Sequence, residues 1–169
     1  IDIIDMKAVY FDGEGGSNIR KEEIPADLMD KAKDLRHRLI EVAADFDDAL
    51  MEKFLLDEQP TPAELTEAVR KGTLSMKMTP VFCGSAYKNK GVQTLLDGVT
   101  ALLPAPADVK NEALDQDNNE ARVTLETNPN KDLVMLAFKL EDGRYGQLTY
   151  MRIYQGTINK GDSIINIAN

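Results

Sequence analysis

Cys83 is the sole cysteine and His37 the sole histidine among 169 residues. An intrachain disulfide is therefore impossible, which fits a reducing compartment, and a His/Cys zinc site lacks its ligands. No run approaches the length of a membrane span and no signal-peptide pattern opens the chain, so no membrane partner is expected. Basic residues are the minority, 20 Lys and Arg against 29 Asp and Glu, for a formal charge of −9. Such a surface repels phosphate backbones, so independent nucleic-acid binding is not expected and a basic partner is more natural. What is present is ordinary for a soluble globular protein: 43% apolar residues in a length that suits one large or two small domains. The chain opens without Met inside an apolar stretch, Ile1 to Tyr10, which reads as an excised piece.

Ile1 to Phe11 reads as a strand, Asp12-Gly13 and Gly15-Gly16 as a turn, and Ile19 to Ile24 as the returning strand of a hairpin. From Pro25, apolar residues at Leu28, Ala32, Leu35, Leu39, Val42, Phe46, Leu50 and Phe54 follow a helical period, broken near Asp45 to Asp47. Thr61-Pro62-Ala63-Glu64 matches a capping box, and its helix is expected to stop at Lys71 with Gly72 as the terminator. Thr79 to Cys83 reads as a buried strand with Cys83 as a small core residue. After Gly84-Ser85-Ala86, a helical face of Val92, Leu95, Leu96, Val99, Leu102 and Leu103 runs to Pro104 and Pro106. Strand, loop and helix in that order form the unit of a parallel α/β sheet. Asp108 to Asn130 is polar and reads as a linker with one strand; from Leu133 the pattern is all-β, with strands at Leu133–Leu140, Gln147–Tyr154, Thr157–Ile158 and Ser163–Ile167. So few strands cannot close a barrel, and open edges predict self-association.

The segment Thr79 to Val92, TPVFCGSAYKNKGV, carries the main chemical suggestion. A tight turn of small residues aims backbone N–H groups at a base carbonyl and lets the ring approach, and Ser85 can hold the turn through its hydroxyl. On those residues alone an ordinary strand-to-helix loop is the simpler account. The phosphate pattern G-x-x-x-x-G-K-[ST] is nowhere in the chain. Asp12-Gly13-Glu14-Gly15 and Asn159-Lys160-Gly161-Asp162 mimic D-x-x-G and N-K-x-D, but read as turns. Asp27, Asp30, Asp34, Glu41, Asp45, Asp48 and Glu52 stand at steps of three, four or seven and share one face if the segment is helical throughout. Lys31, Lys33, Arg36 and Arg38 dilute that stripe. It reads as a solvated face or as a docking surface for a basic partner. No catalytic pair is singled out: nothing places Ser85 and His37 together. Arg144-Tyr145 and Tyr150-Met151-Arg152 read as barrel core and surface before RNA stacking.

The strings MKAVYFDGEGG, EIPADL, LIEVAADFDDALMEKFL, PTPAELTEAVRKGTLSMKMTPVFCGSAYKNKGVQTLLDGVTALLPAPADV and LAFKLEDGRYGQLTYMRIYQGTINKGDSI together resemble elongation factor G, the GTPase of ribosomal translocation. LEDGRYGQLTYMRIYQG is most similar to the mitochondrial-type branch, which some bacteria carry; the common bacterial form has Asp-Pro near the turn held here by Asp142-Gly143. The resemblance implies α/β and α+β structure from a P-loop GTPase domain with its helical and hairpin insertion, followed by an incomplete β-barrel. Residues 1–76 fall on the insertion, 77–108 on the last strand and helix of the G domain, 109–130 on a linker and 131–169 on the start of the second domain. Gly84, Ser85, Ala86 and Tyr87 fall on the guanine-contacting motif, with the Ala86 N–H toward the base oxygen; Tyr87 replaces what is often a smaller or aliphatic residue. The acidic helix falls where the family meets the C-terminal domain of the ribosomal stalk protein, which favours docking. GTP or GDP and magnesium would serve the parent protein, with none held tightly by this chain, in a cytoplasm or a mitochondrial matrix. A recycling or release relative on the ribosome, or a stand-alone acidic docking module, are the other readings.

Overall fold

The computed structural model describes residues 1–144 and 146–167, so Tyr145, Ala168 and Asn169 lie outside the described residues. The chain divides into two units, Ile1–Leu103 and Pro104–Asn169. Its described residues mix helices with three two-stranded antiparallel sheets. The first unit opens with β1 (Ala8–Asp12) and β2 (Asn18–Glu22), paired from Ala8↔Glu22 to Asp12↔Asn18. The hairpin is as the sequence suggests, but the strand is shorter than read. The Asp2 carboxylate accepts from the N–H groups of Ile4 (2.9 Å) and Asp5 (3.1 Å), and Asp2 and Lys7 pair across the resulting turn. A local side-chain bond of this kind competes with a ladder and keeps residues 1–7 out of the sheet.

Helix α1 (Ala26–Ala44) follows Pro25, and α2 (Asp48–Leu55) begins after the break that the apolar period indicated. Asp47 makes the break a restart: its carboxylate caps α2 by accepting from the Leu50 N–H at 3.0 Å. Helix α3 (Pro62–Leu74) has the full capping box, Thr61 Oγ1 accepting from Glu64 N and Glu64 Oε2 accepting from Thr61 N. It does not stop at Gly72. The helix continues to Leu74, and Gly72 is buried because the Phe46 ring lies on it: a Cβ there would stand 2.8 Å from Phe46 Cδ2. Gly72 is a packing residue of the helix interior, and the expected terminator is corrected accordingly.

The core of this unit joins α1, α2, α3 and α4 (Val92–Leu102) through Ile40, Ala43, Ala44, Leu50, Leu65, Ala68, Val69 and Leu102. Alanines at the crossing points let the helices approach closely, and Leu65 fills the centre with no exposed surface. Arg36 ties the N-terminal turn to this bundle: its guanidinium donates to the carbonyls of Ile3 (2.9 Å), Ile4 and Pro60 (3.0 Å).

Thr79 to Cys83 forms no strand and is not buried as a run; Val81 is 83% exposed and Cys83 is exposed. A strand exists only with a ladder partner, and no described strand lies beside these residues. Phe82 packs over Gly98 of α4, where a Cβ would stand 2.3 Å from Phe82 Cζ.

In the second unit, residues read as a linker with one strand form a hairpin of β3 (Asn111–Asp115) and β4 (Ala121–Leu125). Its turn is held by Asp115, which accepts from Asp117 N at 3.1 Å, and by Asn119 and Glu120 at positive φ. The ribbon of β5 (Val134–Gly143) and β6 (Gly146–Gln155) matches the two strands expected there. The strands expected at Thr157–Ile158 and Ser163–Ile167 are absent through residue 167. Asn159–Asp162 is a turn, with the Asn159 N–H donating to Asp162 Oδ2 at 2.7 Å. No helix among the described residues is long and apolar enough to cross a membrane.

Candidate functional site: a backbone loop and an acidic helix

The loop from Gly84 to Gly91 is closed by its backbone. Ser85 N donates to Lys90 O at 2.7 Å and Lys90 N to Ser85 O at 3.0 Å; a single 3-10 turn, Ala86–Lys88, lies between, with Lys88 N on Ser85 O at 3.1 Å. Asn89 and Gly91 turn the chain at φ 49° and 82° into α4. Gly84 and Gly91 are required because the two arms of the loop touch: a Cβ on Gly84 would meet Lys90 O at 2.7 Å, and one on Gly91 would meet Cys83 O at 2.8 Å. The Ser85 hydroxyl caps nothing, so the turn is held by main chain and not by that side chain. The Ala86 N–H donates to no group among the described residues. Ala86 is exposed, and the Tyr87 side chain beside it is 99% exposed. The loop therefore leaves the Ala86 N–H without an acceptor among the described residues, beside an exposed aromatic ring.

The sequence reading missed one supporting residue. Gly16, at the hairpin tip with φ 64°, is buried against this loop: a Cβ on it would stand 2.6 Å from Asn89 O. The Gly15-Gly16 pair is legible as a turn, but its packing on residues 88 and 89 depends on tertiary structure.

On the helical side, a helix advances about 100° per residue, so Asp27, Asp30, Asp34, Glu41 and Asp45 fall within an arc of roughly 60°. That arc faces away from Ala32, Ile40 and Ala43, which point into the core. Asp48 and Glu52 belong to α2, beyond the restart at Asp47, so one continuous face for all seven does not form. All seven side chains are exposed, and none makes an ion pair or side-chain hydrogen bond among the described residues. Two other acids on the same bundle are paired. Glu64 takes Lys53 Nζ at 2.7 Å, and that ammonium, with the Thr61 N–H, holds its carboxyl down to about 2. Asp47 takes Lys71 Nζ, which with the Leu50 N–H lowers its carboxyl also. Arg36, counted in the sequence as diluting the stripe, is turned to the Ile3, Ile4 and Pro60 carbonyls instead.

His37 lies against the Phe54 ring (centroids 5.5 Å apart) and has no contact with Ser85, so the imagined nucleophile–base pair does not assemble. Among the described residues, no three His, Cys, Asp or Glu side chains come together as a metal site. Tyr150 and Arg152 lie on β6, where Tyr150 donates to Glu141 and Arg152 stacks on Tyr154; Tyr145 is outside the described residues.

No family model matches the chain. It is 54% identical over 167 residues to mitochondrial elongation factor G-1 of Arabidopsis thaliana, 53% over 169 residues to elongation factor G 2 of Bdellovibrio bacteriovorus, and 52% over 166 residues to elongation factor G 1 of Borreliella afzelii. These alignments cover 98–100% of the chain and 22–24% of the relatives. A crystal structure of a Thermus thermophilus protein shares the fold, with a TM-score of 0.68 over 96% of this chain and 22% of that one, at 24% identity. The sequence is thus similar to elongation factor G from end to end, over a stretch that amounts to less than a quarter of those relatives' length.

Proposed function

We propose that this chain is part of a translational GTPase of the elongation factor G type, in which GTP hydrolysis accompanies ribosomal translocation. The identity of more than half the residues over the whole chain carries that reading. Residues 1–76 then correspond to the insertion of the G domain, 77–108 to its C-terminal end with α4, 109–130, here carrying the β3–β4 hairpin, to the connection, and 131–169 to the start of a β-barrel second domain. The open backbone donor at Ala86, between Gly84, Ser85 and Tyr87, supports a contact to the guanine base. No phosphate cradle accompanies it in this sequence. The residues here thus suit the base and not magnesium or the phosphates, and no hydrolytic step is assigned to them. The chain alone is expected to hold GTP or GDP weakly and to turn over none; turnover that survives repurification and needs magnesium would refute this.

The second element of the proposal is docking to the ribosomal stalk protein's C-terminal domain through Asp27, Asp30, Asp34, Glu41 and Asp45, with Asp48 and Glu52 flanking. Five exposed carboxylates within one arc, none of them ion-paired among the described residues, support it, since such a face steers a basic partner. An NMR titration with that domain at low and high salt tests it. Salt-sensitive shifts along α1 are expected; an unchanged spectrum from a folded sample would reduce the stripe to a solvated face. The compartment follows the relatives' names, a bacterial cytoplasm or a mitochondrial matrix.

A further inference from the structure

Within this acidic protein one cavity is lined by cations. It has a volume of about 410 Å³, at the small end of ligand pockets, and its walls are Met6, Lys33, Arg36, His37 and Gln59. No carboxylate lines it. Arg36 brings a permanent charge that only backbone carbonyls offset, because Ile3, Ile4 and Pro60 take its donors. Its position is fixed by those bonds, so the charge is present before any ligand arrives. Lys33 makes no ion pair among the described residues, and it stands one helical turn from His37 on α1. His37 is itself oriented by the Phe54 ring. Gln59 adds an amide donor and Met6 an apolar wall. Asp30 and Asp34, the acids nearest in sequence on α1, form no ion pair with Lys33, Arg36 or His37 among the described residues.

We infer that this cavity is a binding site for a small oxyanion, held by hydrogen bonds from Lys33, His37 and Gln59 in the field of Arg36. Charge-assisted bonds of this kind are the strong ones, and three donor side chains lining one cavity suit a phosphate or carboxylate group. The volume exceeds a bare tetrahedral ion, so the anion would carry a further group along the Met6 wall. The site lies apart from the guanine-type loop in sequence and uses none of its residues, so it stands or falls independently of the proposed function.

His37 is the chain's only histidine, so its ring protons report on the cavity without assignment ambiguity. The test follows them by NMR on the full chain while sodium pyrophosphate, or in a second arm citrate, replaces chloride at fixed pH and ionic strength. Lys33→Gln removes one charged donor; Lys31→Gln, an exposed neighbour outside the cavity, is the control. A saturable His37 shift is expected, weakened about five- to tenfold by K33Q and unchanged by K31Q. Saturation by pyrophosphate alone would identify a phosphate ligand, and by citrate alone a carboxylate; either, or both, supports the site. A shift that grows linearly with both anions, or equal affinity for wild type and K33Q, would overturn it.

Discussion

Gly72→Ala sets two effects of opposite sign against each other. In an ordinary helix interior, alanine is favoured over glycine by about 1 kcal/mol. Gly72 lies inside α3, with its φ outside the left-handed region, so that gain applies. Against it stands packing. The new methyl would be 2.8 and 3.0 Å from Phe46 Cδ2 and Cε2, and 3.1 Å from Met78 Cβ. Carbon atoms rest at about 3.5–4.0 Å, so the ring must retreat by roughly 1 Å. Phe46 is on the short link between α1 and α2, bonded through its N–H to Ala43 O at 3.1 Å, and has little room to move without shifting the α2 restart. Overpacking of this kind costs about 2–3 kcal/mol, so G72A should destabilise by about 1–2 kcal/mol net.

The four α-helices of the described residues belong to the first unit, so ellipticity at 222 nm reports chiefly on it. For a unit of this size the loss corresponds to a Tm lower by roughly 5–15 °C. Phe46→Leu removes the ring, and in that background G72A should become neutral or stabilising. The double-mutant cycle should therefore give a coupling of about 1.5 kcal/mol or more. A stabilised G72A single variant, or a coupling below about 0.5 kcal/mol, would refute the packing role and restore Gly72 as a mere helix breaker.

Three further outcomes are expected. Glu64 is held below its ordinary value by Lys53 and the Thr61 N–H, so its contribution is complete above about 4.5 and is lost as pH falls toward about 2; Glu64→Gln should flatten acid unfolding in that window, and an unchanged acid limb would show that the Lys53 pair does not matter. Thr61→Ala should cost about 1 kcal/mol in urea denaturation while Thr61→Ser costs little, because only the hydroxyl is needed to cap α3. The β5–β6 ribbon exposes Leu136, Phe138, Leu140 and Leu148 and leaves two free edges, so light scattering should show mass rising with concentration, and a strict monomer throughout would count against it.

What is legible in the sequence is what is decided locally. The capping box at Thr61 to Glu64 closes within four residues, and the break at Asp45 to Asp47 shows as a lapse in the apolar period. Both can be read because their energies depend on neighbours in sequence. Thr79 to Cys83 misleads for the converse reason. Its composition suits a buried strand, but burial and pairing are properties of partners, and the segment finds no strand partner, only Gly98 beneath Phe82 and Gly91 beside the Cys83 carbonyl. Residues 1–7 and 111–125 mislead more subtly: an Asp side chain decides the local structure in each, Asp2 by folding a turn into an apolar run and Asp115 by closing a hairpin in a polar one. Composition averages over such single residues.

The candidate base loop shows the same division inside one site. Gly84 through Tyr87 can be picked out by the family resemblance and not by composition, since a turn of small residues suits an ordinary loop as well. What holds the loop cannot. Ser85 is the obvious candidate, yet its hydroxyl is idle and the closure comes from the Ser85–Lys90 main-chain pair. That closure needs glycine at 84 and 91, where the chain crosses itself, and at 16, where the hairpin tip abuts Asn89. A turn held this way has no side chain to lose, so its donor geometry is insensitive to substitution at Ser85 and sensitive to a methyl at any of the three glycines. Positioning of the Ala86 donor thereby depends in part on how the β1–β2 hairpin sits on the loop, which links the N-terminal hairpin to the loop proposed to meet a base.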